Sequence, residues 1–201
     1  MTAEAAASRD VGTDVGQWLS RAAVLQFASL ALQTPSTDVL AEMRELAVSL
    51  PDHLAQQAAG ILQTPADEWE PEFFSVLGPA GCAVCESSYE RAAQASRGPL
   101  LAQVAGYYEA FGYAPVRLKE VPDHAAVELG FLSFLAMKVA FAMFESQSEA
   151  AEIARVAYAD FHRLHIGAWL PDCLEAIQAT GSEQYSAIAA WVSEAVQPLQ
   201  K

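Results

Sequence analysis

Basic residues are few in this chain of 201 residues: 11 Lys and Arg stand against 25 Asp and Glu, a net charge of −14. A surface of that sign repels phosphate backbones and anionic lipid, so nucleic-acid and membrane-surface roles are disfavoured; the charge is compatible with a basic peptide or protein partner and equally with keeping a very apolar protein soluble. Cysteine is nearly absent, at three residues. An odd count that small builds no disulfide framework and suits a reducing compartment. The opening stretch MTAEAAASRDVGTD has neither a basic head nor an apolar run, so no secretion signal is read and a cytoplasmic location is expected. Asn-Gly and Asp-Gly pairs are missing, as are alternating apolar and polar runs, and with them the signals for β-hairpins. There is no HExxH and no glycine-rich phosphate loop beside the acidic residues.

What the sequence does hold is apolar, helix-forming residues. Hydrophobic types make up 53% of the chain and mean hydropathy is +0.16. That predicts one all-α globular domain over residues 14–201, behind a flexible segment at 1–13. The stretch organising the rest is 121–144, VPDHAAVELGFLSFLAMKVAFAMF. Pro122 and Asp123 suit a helix start, with Asp123 as the cap. Leu129, Leu132, Leu135, Val139 and Met143 recur at three- and four-residue steps, while Phe131, Phe134, Phe141 and Phe144 fill a second face. A helix apolar nearly all round, about 122–147, is expected at the core, with Asp123, His124 and Glu128 at its solvent end. Its apolar run is short for a bilayer and carries Lys138, so no membrane span is predicted.

Around it, helices are predicted over 16–32, 37–50 (capped by Thr37), 51–63 and 64–77, the last interrupted near Pro71. A glycine loop follows at 78–85, then a short helix over 87–96, another over 99–112, and a connector at 113–121 that reads as a hinge. Ser148 is expected to cap a helix whose core face is Ile153, Val156 (or Ala157), Phe161 and Leu164, bent or divided at Pro171. Gly181-Ser182 opens the last helix, with Tyr185, Ile188, Ala189 and Val192 inward.

Four groups offer chemistry. Cys82-x-x-Cys85 admits three readings: incidental loop cysteines, a metal site joined by Cys173, or a redox pair. His162 and His165, at i and i+3, have metal spacing but no carboxylate beside them in sequence, and read as structural residues near Trp169. Asp123-His124 with Glu128 reads as a helix cap, a binding edge or an acid–base group. Trp69, Phe73, Phe74 and Leu77, beside the 78–85 loop, read as core or as the lining of an apolar groove.

Three blocks taken together resemble the TorD/DmsD/NarJ family of cytoplasmic chaperones for molybdenum enzymes. The first is Pro122-Asp123-His124 followed by Glu128-Leu129-x-Phe131-Leu132. The second is Phe74 to Pro79 with Cys85-Glu86-Ser87-Ser88-Tyr89, and the third is Phe161-x-x-Leu164-His165-x-x-x-Trp169-Leu170-Pro171. The resemblance implies an all-α, TorD-like domain with no catalytic activity, cofactor or metal of its own. It implies binding of the N-terminal leader of a molybdopterin oxidoreductase catalytic subunit, a leader that in exported cases carries a twin-arginine motif. It also implies cofactor insertion before export, and monomers or domain-swapped dimers. By position in the motifs, Pro122, Asp123, His124 and Glu128 fall on the peptide-binding edge, Trp69, Phe74 and Leu77 on the apolar groove, and Glu86 and Tyr89 on the second block. A nitrate-reductase-type factor for a leaderless client is the alternative within the family. A small helical metal or redox protein using Cys82, Cys85 and Cys173 is the alternative outside it.

Overall fold

The computed structural model describes residues 3–89, 97–115 and 120–197, with side chains from residue 14. Among these residues all regular structure is helical: α1 Ala3–Ala31, α2 Thr37–Ala47, α3 Asp52–Ile61, α4 Ala66–Val76, α5 Arg97–Phe111, α6 Ala125–Phe144, α7 Ser148–Phe161, α8 Gly167–Gln178 and α9 Glu183–Ala195. The expected all-α fold is therefore present. The helix predicted from residue 16 begins at Ala3. Most of the short helix expected at 87–96, and residues 116–119 of the expected hinge, lie outside the described residues.

The core is built on α6, which packs chiefly along α1 and α7. Two serines tie α6 to α1 by donating across the interface: Ser29 Oγ to the Ala126 carbonyl at 2.6 Å, and Ser133 Oγ to the Ala22 carbonyl at 2.8 Å. Each satisfies a hydroxyl that burial would otherwise strand. Arg21, also on α1, donates to the Tyr158 hydroxyl at 2.7 Å and to the carbonyls of Ala195 and Gln197 at the end of α9. A guanidinium there meets the negative end of the helix dipole. Trp69 Nε1 donates to the Tyr185 hydroxyl and Trp191 Nε1 to the Leu54 carbonyl, each at 2.9 Å, so α9 is bonded to both α4 and α3.

Several expected details are corrected. The cap of α2 is Ser36, whose hydroxyl accepts from the Val39 N–H at 3.1 Å, and Thr37 is the first helical residue. Ser148 is likewise inside α7, and the residue before it, Gln147, makes no side-chain cap. Helix α4 passes through Pro71 without interruption, because Pro71 is exposed and the bond it removes is lost at the solvent face. Pro171 sits inside α8, and the division falls upstream, in a π turn at His162–Ile166.

The face of α7 is shifted: Phe161 and Ala157 are inward as expected, but Ile153 and Val156 are not. Ala151, Ala154 and Ala157 pack inward with Tyr158 and Phe161, while Ile153 and Val156 are 56% and 51% exposed. Small residues allow α7 to approach α6 closely, and that contact outweighs the area the larger side chains would bury. The central helix is only partly central, since residues 125–133 are fully buried but Phe141 and Phe144 are 66% and 72% exposed. By length and hydropathy α6 could cross a membrane, with 20 residues and a mean hydropathy of 1.8, yet 67% of its most apolar window is buried inside the fold.

Candidate functional site

The Pro122-Asp123-His124 segment is a buckle rather than a free edge. Asp123 and Glu128 are fully buried and His124 is nearly so, which overturns the expected solvent placement of all three. The cap of α6 is His124, whose Nδ1 accepts from the Ala126 N–H at 3.1 Å. Asp123 is released from capping and faces the other way. Its Oδ2 accepts from the Ser87 N–H at 3.0 Å, and its carbonyl from the Glu86 N–H at 2.9 Å. The Ala125 N–H donates to the Val84 carbonyl at 2.8 Å, completing a short antiparallel pairing of Cys85 with His124. From α5, the Tyr108 hydroxyl donates to the Pro122 carbonyl at 2.7 Å. Three segments distant in sequence thus meet at the head of α6.

The loop that the buckle grips is shaped by its glycines. A Cβ on Gly78 would lie 2.2 Å from the Phe74 carbonyl oxygen, and one on Gly81 would lie 2.2 Å from that of Val76. No side chain is accommodated at either place, so the chain folds back tightly before presenting Glu86 to the interior.

Behind the buckle lies a buried polar chain. His165 Nδ1 is 2.9 Å from Glu86 Oε2, and Trp169 Nε1 donates to Glu128 Oε2 at 3.1 Å. Glu86, Glu128 and His165 each offer an atom within 4.8 Å of the others, and all three are buried. Burial, and next the charge of Glu86, push the Glu128 carboxyl well above its ordinary value. Two ionised carboxylates there would have no donor between them. A protonated Glu128 would supply one toward Glu86. With that proton in place the two observed bonds would join into one chain from Trp169 through Glu128 and Glu86 to His165. The π turn at His162–Ile166 carries His165 into this position, against the rings of Phe161 and Tyr107 at 4.7 and 5.7 Å. His162 takes a separate structural role, with Nε2 2.7 Å from the Val196 carbonyl.

Of the other expected residues, Tyr89 is half-buried, donates to the Ala83 carbonyl at 2.8 Å and lies 5.4 Å from the Trp169 ring. Trp69 and Leu77 are core, at 1% and 7% exposure, and only Phe74 reaches solvent, at 51%. Those three therefore do not line a shared groove. The cysteines do not enter the Glu86–Glu128–His165 group. Burial raises all three thiols, Cys85 to about 12 and Cys173 to about 11. A protonated thiol is a weak nucleophile and a weak ligand, which counts against a redox or metal role. The surface that sequence reasoning missed is on α6 and α7, where Met137, Phe141, Phe144, Ile153 and Val156 are all more than half exposed. Its signal was the alanine spacing of α7, which shows which face is packed.

An all-α domain with this buckle at the head of its central helix belongs to the nitrate reductase delta subunit family, which the chain matches over residues 35–175. The match takes in the buckle, Glu86, His165 and Trp169, and agrees with the likeness to the TorD/DmsD/NarJ chaperones. A curated relative is the chlorate reductase assembly chaperone protein of Ideonella dechloratans, 31% identical over 114 residues. That alignment covers 55% of this chain and 58% of the relative, so the chain spans little more than half of that protein's length. Among solved structures, an Archaeoglobus fulgidus protein assigned as a redox enzyme maturation protein superposes with a TM-score of 0.59 at 21% identity, over 88% of this chain and 94% of that one. The likeness is one of fold. Both relatives are named for assembly or maturation of enzymes rather than for catalysis.

Proposed function

We propose that this protein is an assembly chaperone for a molybdopterin oxidoreductase, acting in the cytoplasm on the N-terminal leader of the catalytic subunit. Membership of the family over residues 35–175 is the observation that carries the reading. The relative named for chlorate reductase assembly favours a client of that kind. In this reading the client carries a twin-arginine leader and is held back until its cofactor is inserted. The chain's charge of −14 suits a basic leader and would speed the encounter. The family's nitrate reductase description favours a second reading, a leaderless client assembled without export.

In this account Asp123, Glu128, Glu86 and Trp69 act from within. Asp123, Glu128 and Glu86 hold the 78–89 loop and the head of α6 in one shape, and Trp69 ties α4 to α9, while half-buried Pro122 and Tyr89 and exposed Phe74 remain accessible with the edge of His124.

The test is co-purification. The tagged chain, expressed in its own host under conditions that induce the candidate oxidoreductase, should retain a molybdopterin catalytic subunit identified by mass spectrometry. Deleting that subunit's leader should abolish retention for the exported client. Retention of no molybdopterin subunit would refute the reading.

A further inference from the structure

We infer that the apolar stretch of the leader seats as a helix in the trough between α5, α6 and α7, with its arginines at the α6–α7 turn. This rests on the leader-binding reading above and locates the seat.

The trough is a cleft of about 460 Å³, within the range of ligand clefts. Phe111 lines it from α5, Phe134, Met137 and Phe141 from α6, and Ala150 and Ile153 from α7. Met137, Phe141 and Ile153 are 54%, 66% and 56% exposed. Contiguous exposed apolar surface of this kind marks an interaction site. Phe134 and Glu145 are eleven residues apart along α6 and its cap. That is about 16 Å along the axis, or three turns of an accompanying helix.

The two ends of the trough differ in charge. The chain turns from α6 into α7 through Ser146, a residue other than glycine held in the left-handed region at φ 58°. The turn brings the Gln147 N–H to the Ala142 carbonyl at 2.8 Å, and both residues line the trough. An exposed carboxylate stands on either side of it. Glu145 follows Phe141 by four residues and Glu149 precedes Ile153 by four, so each lies one helical turn beyond an apolar lining residue. The other two acids of α7, Glu152 and Asp160, are paired with Arg155 and Arg163 at 2.6 and 3.0 Å. Glu145 and Glu149 have no cationic partner among the described residues. Lys138 is the charged residue of the lining, and its Nζ stands 4.9 Å over the Phe134 ring, toward the opposite end.

An apolar trough with two unpaired carboxylates at one end and an ammonium toward the other complements a helix that is basic at its head and apolar behind it. Arginine binds carboxylates through paired N–H donors. An amphipathic helix sets its apolar side chains into a trough at three- and four-residue spacing. Lys138 repels arginines from the Phe134 end, which fixes the direction. The leader's head lies at the turn and its apolar stretch runs back toward Phe134. A second copy of this chain is a poorer occupant, because it would bring together two molecules each of charge −14.

The probe is a labelled synthetic helix of about twenty residues with paired arginines at its head and leucines at helical spacing behind them, titrated by fluorescence anisotropy. Phe141→Glu with Ile153→Glu should weaken binding by at least about tenfold, as central apolar anchors do. Glu145→Gln with Glu149→Gln should weaken it about fivefold at low salt and much less at high salt. That pair should make no difference to a probe whose arginines are replaced by glutamine. Glu68→Gln with Glu70→Gln removes the same charge from α4, which lines no part of the trough, and should bind within about twofold of wild type. Circular dichroism confirms that each variant is folded.

Undiminished binding by Phe141→Glu with Ile153→Glu, or at low salt by Glu145→Gln with Glu149→Gln, overturns the inference. So does an equal loss in the α4 pair, which would make the attraction a property of the whole chain. An effect of the apolar variant on self-association alone overturns it too, since the trough would then be an interface between two copies. The function reading fails separately: if wild type retains no molybdopterin subunit from its host, the family role is wrong whatever the probe does. If the subunit is retained equally by wild type and by the trough variants, the role stands and the seat is wrong.

Discussion

Replacing Glu128 tests whether a proton, rather than a charge, holds the centre of the buried chain. Two substitutions separate the alternatives. Glu128→Ala removes the acceptor of the buried Trp169 N–H, a bond of 3.1 Å, and leaves a void beside Glu86. An unpaired buried donor costs about 1–3 kcal/mol, and the cavity brings the total loss to about 2–5 kcal/mol. Glu128→Gln keeps the volume and a carbonyl for Trp169, and its amide can donate to Glu86 as the proposed O–H does. At pH 5 it should therefore lie within about 1 kcal/mol of wild type.

The contrast grows with pH. Folded Glu128 is raised from 4.5, so the folded state holds a proton that the unfolded chain gives up. That contribution is complete below pH 4.5 and is lost as pH rises through the folded value, at up to about 1.4 kcal/mol per pH unit. Gln titrates nothing there. The stability of Glu128→Gln relative to wild type should climb from pH 5 to pH 8, and the other titrating groups cancel in the difference. Urea unfolding followed by the fluorescence of the four tryptophans measures it. A difference that stays flat across that range, or a Gln variant as unstable as Ala at pH 8, would refute the shared proton.

Asp123→Ala should cost about 1–3 kcal/mol by stranding the Ser87 N–H, and hydrogen exchange should speed up over residues 84–89 before the rest of the chain. His124→Ala should cost about 0.5–2 kcal/mol as a lost helix cap, and His124→Asn should restore most of it in thermal unfolding. Burial lowers both His124 and His162, so their contribution is present above pH 6.5 and is lost as pH falls through their folded values. Thermal unfolding of wild type and of a His162→Gln variant between pH 7 and pH 5 should show a smaller drop in the variant.

Local signals in the sequence were reliable where a helix is stabilised by its own neighbours. Helix α9 is the clear case: Ser182 caps it, its hydroxyl accepting from the Tyr185 N–H at 2.9 Å, and Tyr185, Ile188, Ala189 and Val192 are all buried. The head of α6 was placed correctly but its cap was assigned to Asp123, because an aspartate is the commoner capping residue and nothing local shows that Ser87 claims it. Glu86 and His165 are 79 residues apart, and Glu128 and Trp169 are 41 apart. Periodicity does not register such pairs. Family resemblance marked Glu86 and Glu128 as site residues without showing that they share an interior. Part of the face of α7 was misread for a different reason: Ile153 and Val156 weigh more on a hydropathy scale than Ala151 and Ala154, yet close packing favours the smaller set, while Phe161 and the alternative Ala157 do face inward.

The central claim is that this chain prepares a molybdenum enzyme for its cofactor. The most direct measurement is the molybdenum content of the candidate catalytic subunit, purified from the native host with and without this protein. The account expects a subunit largely empty of molybdenum in the deletion strain. Content should be restored by wild type. A fully loaded subunit in the absence of this chain would contradict it.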